Sequence, residues 1–309
     1  MTVDVTVVGG GISGFACARA VRDAGGSAHV IDRGRRAGGR LSSRTIDGRA
    51  VDLGASYFVV GDDERFARVV ADWDARGVAR PWTDTFSAFD ADGTETRNSG
   101  PTRWSAPAGS RSLVLDLADG VDLESGREVE RVAPFRVDGQ DAGEVVLAMP
   151  EPQARRLGHG IRLAPQDWEP VVAVVLRWEE RRWPADLHGA FVNGDPDVAF
   201  IADDGDRRGD GAPVLVVHTT GDAARGYPSD PDAAIAPVAA AVRRLLGIDV
   251  EPVAAHAHRW TFGRPIRATG EPFFRSSGLS LCGDAWGESP AVRTAWASGD
   301  ALGRALAAS

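Results

Sequence analysis

Apolar positions along the chain change period several times, and each change marks an element. Val5 to Val8 is a continuous apolar run that reads as a buried strand, and Phe15 to Ala24 repeats its apolar residues at helical spacing. Ala28 to Ile31 is a second buried strand, closed by Asp32. Asp62 to Gly77 carries Phe66, Val69, Val70 and Trp73 on one helical face, while Phe86 to Thr96 reads as a hairpin turning at Asp92-Gly93. Ser110 to Ala118 reads as a helix, and Arg127 to Pro150 as a short meander with a turn near Asp138-Gly139. A β-rich stretch follows: Val171 to Trp178, Ala190 to Val192, Val198 to Ala202, Val214 to Thr219 and Pro252 to Trp260, with a helix from Ala233 to Leu246 inside it. Asp203 to Gly211 is polar and reads as a mobile loop. Leu279 to Asp284 closes as a short strand ending in Gly-Asp, and Ser289 or Pro290 then opens an apolar helix running through Trp296 to Leu306. The order is that of an α/β chain with a β-rich middle and no internal repeat.

The first strand and helix flank a phosphate-binding pattern. Gly9, Gly11 and Gly14 have the G-x-G-x-x-G spacing, with Ile12 and Ser13 between the last two. The first glycine permits the tight turn, the second lets backbone approach a pyrophosphate, and the third allows close helix–strand packing. Asp32 stands where a carboxylate meets adenosine ribose hydroxyls, which favours a free 2′-OH. The next residues, Arg33 and then Gly38-Gly39-Arg40-Leu41, point to FAD over a nicotinamide cofactor. Paired glycines allow the chain to pass beside a pyrophosphate, and a guanidinium can hold its oxygens. A solvated surface charge is the other reading of Arg40. At the far end, Gly283 and Asp284 suit ribityl hydroxyls, with the terminal helix aimed at the flavin ring. An ordinary closing strand and helix would look the same in isolation.

Composition narrows the partners. The 309 residues suffice for one large domain or two interleaved ones. Net charge is −9, from 44 acidic and 35 basic residues with no basic tract, so neither nucleic acid nor an anionic membrane is expected as a partner. Met1-Thr2-Val3-Asp4 leads straight into the first strand, and the longest strongly apolar run, Val171 to Leu176, is too short to cross a bilayer; a cytoplasmic location is expected. Cys17 and Cys282 sit in apolar elements and read as reduced structural thiols, and no metal site is expected. All 35 basic residues are arginine, so a Schiff-base lysine is excluded.

These features together resemble the renalase-like branch of the amine-oxidase-type FAD flavoproteins, from end to end. The Gly9 to Gly14 and Asp32 to Arg40 blocks are shared widely. Val51-Asp52-Leu53-Gly54-Ala55-Ser56-Tyr57-Phe58, Val145 to Ala154, His258-Arg259-Trp260, Gly283-Asp284 and Ala295 to Gly299 add to them, with Val145 to Ala154 and His258-Arg259-Trp260 the most specific. The resemblance implies an α/β fold: a Rossmann-type FAD-binding domain of p-hydroxybenzoate hydroxylase and amine-oxidase-like topology, interleaved with a mostly antiparallel β substrate domain. The division implied is 1–58, 100–160 and 264–309 for FAD, and 59–99 with 161–263 for substrate. Gly54, Ala55, Ser56, Val129, Met149 and Val292 join the cofactor set by the same likeness, and FAD is expected to be non-covalent because Cys282 lies inside the closing strand. The implied reaction is oxidation of a dihydronicotinamide reduced at the wrong ring position, 2- or 6-dihydro-NAD(P), with O2 as acceptor. Many relatives place a lysine near flavin N5; this chain cannot. Two departures bear on substrate: Val292-Arg293-Thr294-Ala295 replaces a common Val-Glu-Gly-Ala, and Ser56 replaces a larger polar residue. An amine or specialised metabolite as substrate, or a flavin-binding module without turnover, stay open.

Candidate substrate-site residues are Tyr57, Trp104 in the loop before Ser110, the His256 to Trp260 strand, Trp286 and Arg293. Alternation puts His256, His258 and Trp260 on one face of a strand, where they could stack a planar donor on the flavin or simply pack in the core. Arg293 reads equally as a flavin-facing cation or a surface residue. Trp73, Trp168 and Trp178 read as packing residues.

Overall fold

The computed structural model describes residues 3–161 and 163–309; Met1 and Thr2, on which the reading of the N-terminus partly rests, lie outside them. Two sheets organise the chain. The first has six strands in the order Phe274–Ser276, Leu279–Leu281, Glu144–Leu147, Asp4–Val8, Ser27–Asp32, Asp122–Ser125. All pairs are parallel except the outermost, between Phe274–Ser276 and Leu279–Leu281. The chain leaves Asp4–Val8 to build first one side and later the other, so strand order reverses at the carboxyl end of Val8, where α/β sheets place their ligands. Helices Ile12–Asp23 and Val292–Ala307 pack beside this sheet backbone to backbone. A Cβ on Gly299 would lie 2.0 Å from the Ser13 carbonyl oxygen, and one on Gly303 2.4 Å from that of Cys17, so any larger residue would force the helices apart.

The second sheet has eight strands: Ala254–Pro265, Trp168–Arg177, Val214–Thr219, Val198–Asp203, Gly189–Val192, Arg80–Phe89, Glu95–Ser105 and Phe58–Val59. Only Gly189–Val192 and Arg80–Phe89 run parallel. Strand alternation gives this sheet two different faces. Val172, Val174, Leu176, Ile201, Leu215 and Val217 form one, buried with Val238 and Val242 of the Ile235–Leu246 helix. Ala173, Val175 and Val216 lie on the other, buried against Val51 and Leu53 with Trp260 at the edge.

Four expectations need correction. The Asp92-Gly93 hairpin is far longer than its apolar core, because residues 95–102 are exposed and carry no alternation that could reveal the ladder. Trp104 is therefore not in a loop: it sits in Glu95–Ser105, with its ring stacked 6.5 Å from that of Phe58. Asp203 to Gly211 is not a mobile polar loop but an Asp204–Arg208 helix with Asp203, Asp204, Arg207 and Arg208 all buried. Its charges neutralise one another, Asp204 pairing with Arg49, Arg207 and Arg208, so polarity did not mean exposure here. The terminal helix begins at Val292, after Ser289 and Pro290, because Ala291 stays extended; the Thr294 hydroxyl holds the Ser289 carbonyl at 2.7 Å.

No helix among the described residues is long and apolar enough to cross a membrane.

Candidate active site

The loop after Val8 is shaped by its glycines. Gly9 has φ +119°, and a Cβ there would lie 2.4 Å from the Ala148 carbonyl oxygen; one on Gly14 would lie 2.1 Å from that of Gly9. Gly11 differs: its Cβ would meet nothing within 4 Å, so this backbone faces open space at the start of the Ile12–Asp23 helix. Asp32 accepts from the Gly10 N–H at 2.5 Å and the Gly34 N–H at 2.6 Å, which fixes its carboxylate against the loop with lone pairs to spare. The Gly38 N–H donates to the Gly10 carbonyl at 2.8 Å, and Gly39, at φ +52°, lies over Gly11.

The later elements close around the same loop. Arg40 donates two 2.6 Å bonds to Asp284 and stands 5.1 Å over the Trp168 ring. Trp168 is thus half-buried beside Arg40 and not a plain packing residue, unlike Trp73 and Trp178, which are fully buried. Gly54 passes so close to Arg40 that a Cβ would lie 1.8 Å from the Arg40 carbonyl oxygen, which instead accepts from the Ala55 N–H at 3.0 Å. Ser13 Oγ donates to Cys282 Sγ at 3.0 Å, and Ser298 Oγ accepts from the Gly283 N–H at 3.1 Å. Ile12 and Leu41 are buried beneath these contacts. Val129 and Met149 pack with Val8 and Ile31 in a separate apolar cluster at the strand ends, which also takes in Trp286. Arg33 is exposed and joins none of these contacts. Burial pushes the Cys282 thiol up to about 12, so it is an unreactive thiol at neutral pH.

Sequence reasoning missed Arg111. It begins the Arg111–Ala118 helix beside Gly38, with its Nε buried and without a partner. Burial and the neighbouring Arg36 guanidinium hold its pKa below the usual arginine value. An unpartnered guanidinium against Gly38, with a second beside it, is what a pyrophosphate would neutralise, so the residues present fit FAD.

The second half of the site lies where Leu53 to Tyr57 crosses the eight-stranded sheet. The Leu53 carbonyl accepts from Trp260 Nε1 at 2.8 Å, the Gly54 backbone lies beside His218, and the Ser56 carbonyl accepts from Arg207 at 2.7 Å. The Tyr57 ring meets Phe86 edge-on at 5.2 Å and Phe200 at 6.0 Å. His258 meets Trp260 edge-on at 4.5 Å, while His256 Nε2 lies 2.6 Å from Arg44. Arg293 lies apart from this segment, in the first turn of the Val292–Ala307 helix and packed across Gly61. Burial, then Arg207 and Arg264, push His218 down to about 4. Burial and Arg44 hold His256 and His258 below the usual histidine value, with His256 adding to the effect on His258 and Asp232 opposing it on His256. All three imidazoles are neutral at pH 7 beside arginine. His218 was also missed: a single histidine in an apolar strand has no spacing signal.

A family model described as flavin containing amine oxidoreductase matches residues 61–300, and one described as NAD(P)-binding Rossmann-like domain matches residues 7–73. The chain belongs to the flavin containing amine oxidoreductase family. It is therefore an FAD-dependent oxidoreductase by class, with FAD as its cofactor. Over 64 residues it is 42% identical to a carotenoid 3,4-desaturase of Haloarcula japonica, a match covering 20% of this chain and 13% of that protein. Over 89 residues it is 33% identical to the (S)-6-hydroxynicotine oxidase of Paenarthrobacter nicotinovorans, covering 28% and 20%. The matched stretches thus span a fifth or less of these relatives. The fold is similar to that of a putrescine oxidase variant at TM-score 0.78, with 17% identity over 100% of both chains. It is equally similar to cyclohexylamine oxidase from Brevibacterium oxydans, at TM-score 0.78, with 14% identity over 100% of this chain and 99% of that one.

Proposed function

We propose that the protein oxidises a planar, neutral-headed hydride donor, of which 2- or 6-dihydro-NAD(P) is the best fit, to the aromatic NAD(P)+, with O2 reduced to hydrogen peroxide. The observation that carries this reading is the electrostatics of the substrate face. His218, His256 and His258 are uncharged at neutral pH and stand beside Arg207, Arg264 and Arg44. A protonated amine would meet like charge there, whereas a neutral dihydropyridine would not. Such a donor already gives up hydride readily, so a chain without lysine lacks nothing it needs.

In this reading Gly9, Gly11 and Gly14 with the helix start at Ile12 and Ser13 hold the pyrophosphate, assisted by Gly39, Arg40, Arg36 and Arg111. Asp32 takes the ribose hydroxyls, Val129 and Met149 flank the adenine end, and Gly283, Asp284 and Val292 take the ribityl chain and ring edge. FAD held there would supply a two-electron acceptor that O2 can reoxidise. Gly54, Ala55 and Ser56 border the ring, and Tyr57, His258 and Trp260 shape the wall against which the donor lies, excluding water and setting its angle of approach. The six-stranded sheet then carries the cofactor and the eight-stranded sheet the donor, in the discontinuous arrangement the sequence suggests.

The second reading, oxidation of an amine, is favoured by the (S)-6-hydroxynicotine oxidase match. Anaerobic mixing separates the two. Isomeric dihydronicotinamides are expected to bleach the flavin far faster than amines or ordinary NADH. Bleaching by amines and not by the isomers would overturn the proposal.

A further inference from the structure

One polar atom on the substrate face has no partner. His218 Nε2 is buried and makes no hydrogen bond, although a buried imidazole nitrogen left unpaired is costly. Its position is set by register: Phe200, His218, Ala173 and His258 lie directly across from one another on four neighbouring strands, with His218 between Phe200 and Ala173. The Phe200 ring lies 6.1 Å from the imidazole, and Tyr57 stands beyond Phe200. On the crossing segment above, Ser56 Oγ is likewise buried and unpartnered. Trp260 and His258 wall the other end of the row.

The other ring nitrogen decides what Nε2 can do. The Gly54 backbone beside the ring raises its pKa, as a carbonyl facing a ring N–H does, and with Nε2 unpartnered the tautomer proposed for the neutral ring carries its single N–H on Nδ1. Nε2 is a bare acceptor. It calls for an N–H or O–H that arrives with the ligand. Arg207 and Arg264 surround it, so an uncharged donor group is favoured over an ammonium.

We propose that His218 Nε2 is the specificity-determining acceptor for an uncharged N–H of the substrate, the carboxamide NH2 in the case of a dihydronicotinamide. The substrate named rests on the reading above; the acceptor itself does not. The segment Leu53 to Tyr57 and the Phe200 side of the row would hold the ring so that its carboxamide points at His218.

The test is binding to the FAD-loaded protein, followed by flavin absorbance, using nicotinamide and 3-acetylpyridine. The second has the same shape but no N–H. Wild type should prefer nicotinamide by roughly 3- to 10-fold, the range for one neutral hydrogen bond. His218→Leu should abolish the preference, and His218→Gln, which restores an acceptor, should recover part of it. The ligand comparison in wild type needs no variant, so a poorly folding His218→Leu leaves the proposal exposed to refutation. Equal binding of the two ligands, no nicotinamide binding, or a preference that survives in His218→Leu each overturns it. Failure of the donor reading looks different: nicotinamide is discriminated through His218, yet the isomeric dihydronicotinamides do not bleach the flavin.

Discussion

At the scale of single residues, the glycines and charged groups of the cofactor loops were legible because their roles are local. Gly9 needs its positive φ and Gly14 its missing Cβ whatever the rest of the chain does, and the spacing alone announces both. Arg40 and Asp284 were legible as separate cofactor residues, but nothing in the spacing reveals that they bind each other across 244 positions. Trp260 shows the same limit. Alternation places it beside His258, and the structure adds the bond from its indole to the Leu53 carbonyl, which ties this strand to the Leu53 to Tyr57 segment. Trp260→Ala is expected to slow flavin reduction by on the order of ten- to a hundredfold, through a misplaced donor, while FAD content stays near wild type. Stopped-flow reduction and a melting curve on the same sample check this. Should the variant melt lower yet reduce at the wild-type rate, Trp260 serves packing only.

At the scale of elements, the parts with a clear apolar period came out close to their expected bounds. Val214–Thr219 matches its expected range, and the helix from Asp62 begins at Glu64 behind an Asp63 cap. The elements misread were those whose stability comes from pairing instead of from apolar pattern. The Asp204–Arg208 helix is the clearest: it is all charge and glycine, and only Asp52, Arg49, Arg207 and Arg208 brought together around Asp204 make it a buried element. Its Arg207 also holds the Ser56 carbonyl, so this small helix positions the active-site segment. Arg207→Met should cost about 3 kcal/mol or more, because it removes a buried guanidinium from two interior carboxylates, leaving Asp204 with Arg49 and Arg208 and Asp52 with Arg208 alone. A fall in Tm of about 5 °C is the corresponding shift for a chain of this length. A Tm within a degree or two of wild type would mean that water or movement compensates the carboxylates.

At the scale of the whole molecule, stability should depend on pH through the half-buried histidines of the eight-stranded sheet. The native-state pKa of His218, about 4, lies below the value of about 6.5 for a free histidine, so between those values the unfolded chain takes up a proton that the native one does not. Stability is therefore full above about pH 6.5 and is lost as pH falls toward 4, by about 3 kcal/mol from this group alone. The lowered His159, His256 and His258 act in the same direction. Asp203, raised by burial, acts in the opposite one, since its native carboxylate gains a proton more readily than the unfolded one. Melting curves from pH 7 to 4 should fall less steeply for His218→Gln than for wild type; parallel curves would show that His218 is charged in the native state.

What the sequence determined by itself was the Rossmann-type fold of the six-stranded sheet: strand, glycine turn, helix, acid, paired glycines and closing Gly-Asp. Each is specified by φ freedom, side-chain size or apolar period over a few neighbouring residues, so each can be read one position at a time. The faces of the eight-stranded sheet were decided by tertiary structure. Whether His218 faces solvent, core or pocket depends on the register of the Phe200, His218, Ala173 and His258 row and on which segment crosses it. Register is set by hydrogen bonds and packing between strands scores of residues apart, and a shift of one residue would turn every side chain on that face away from the pocket.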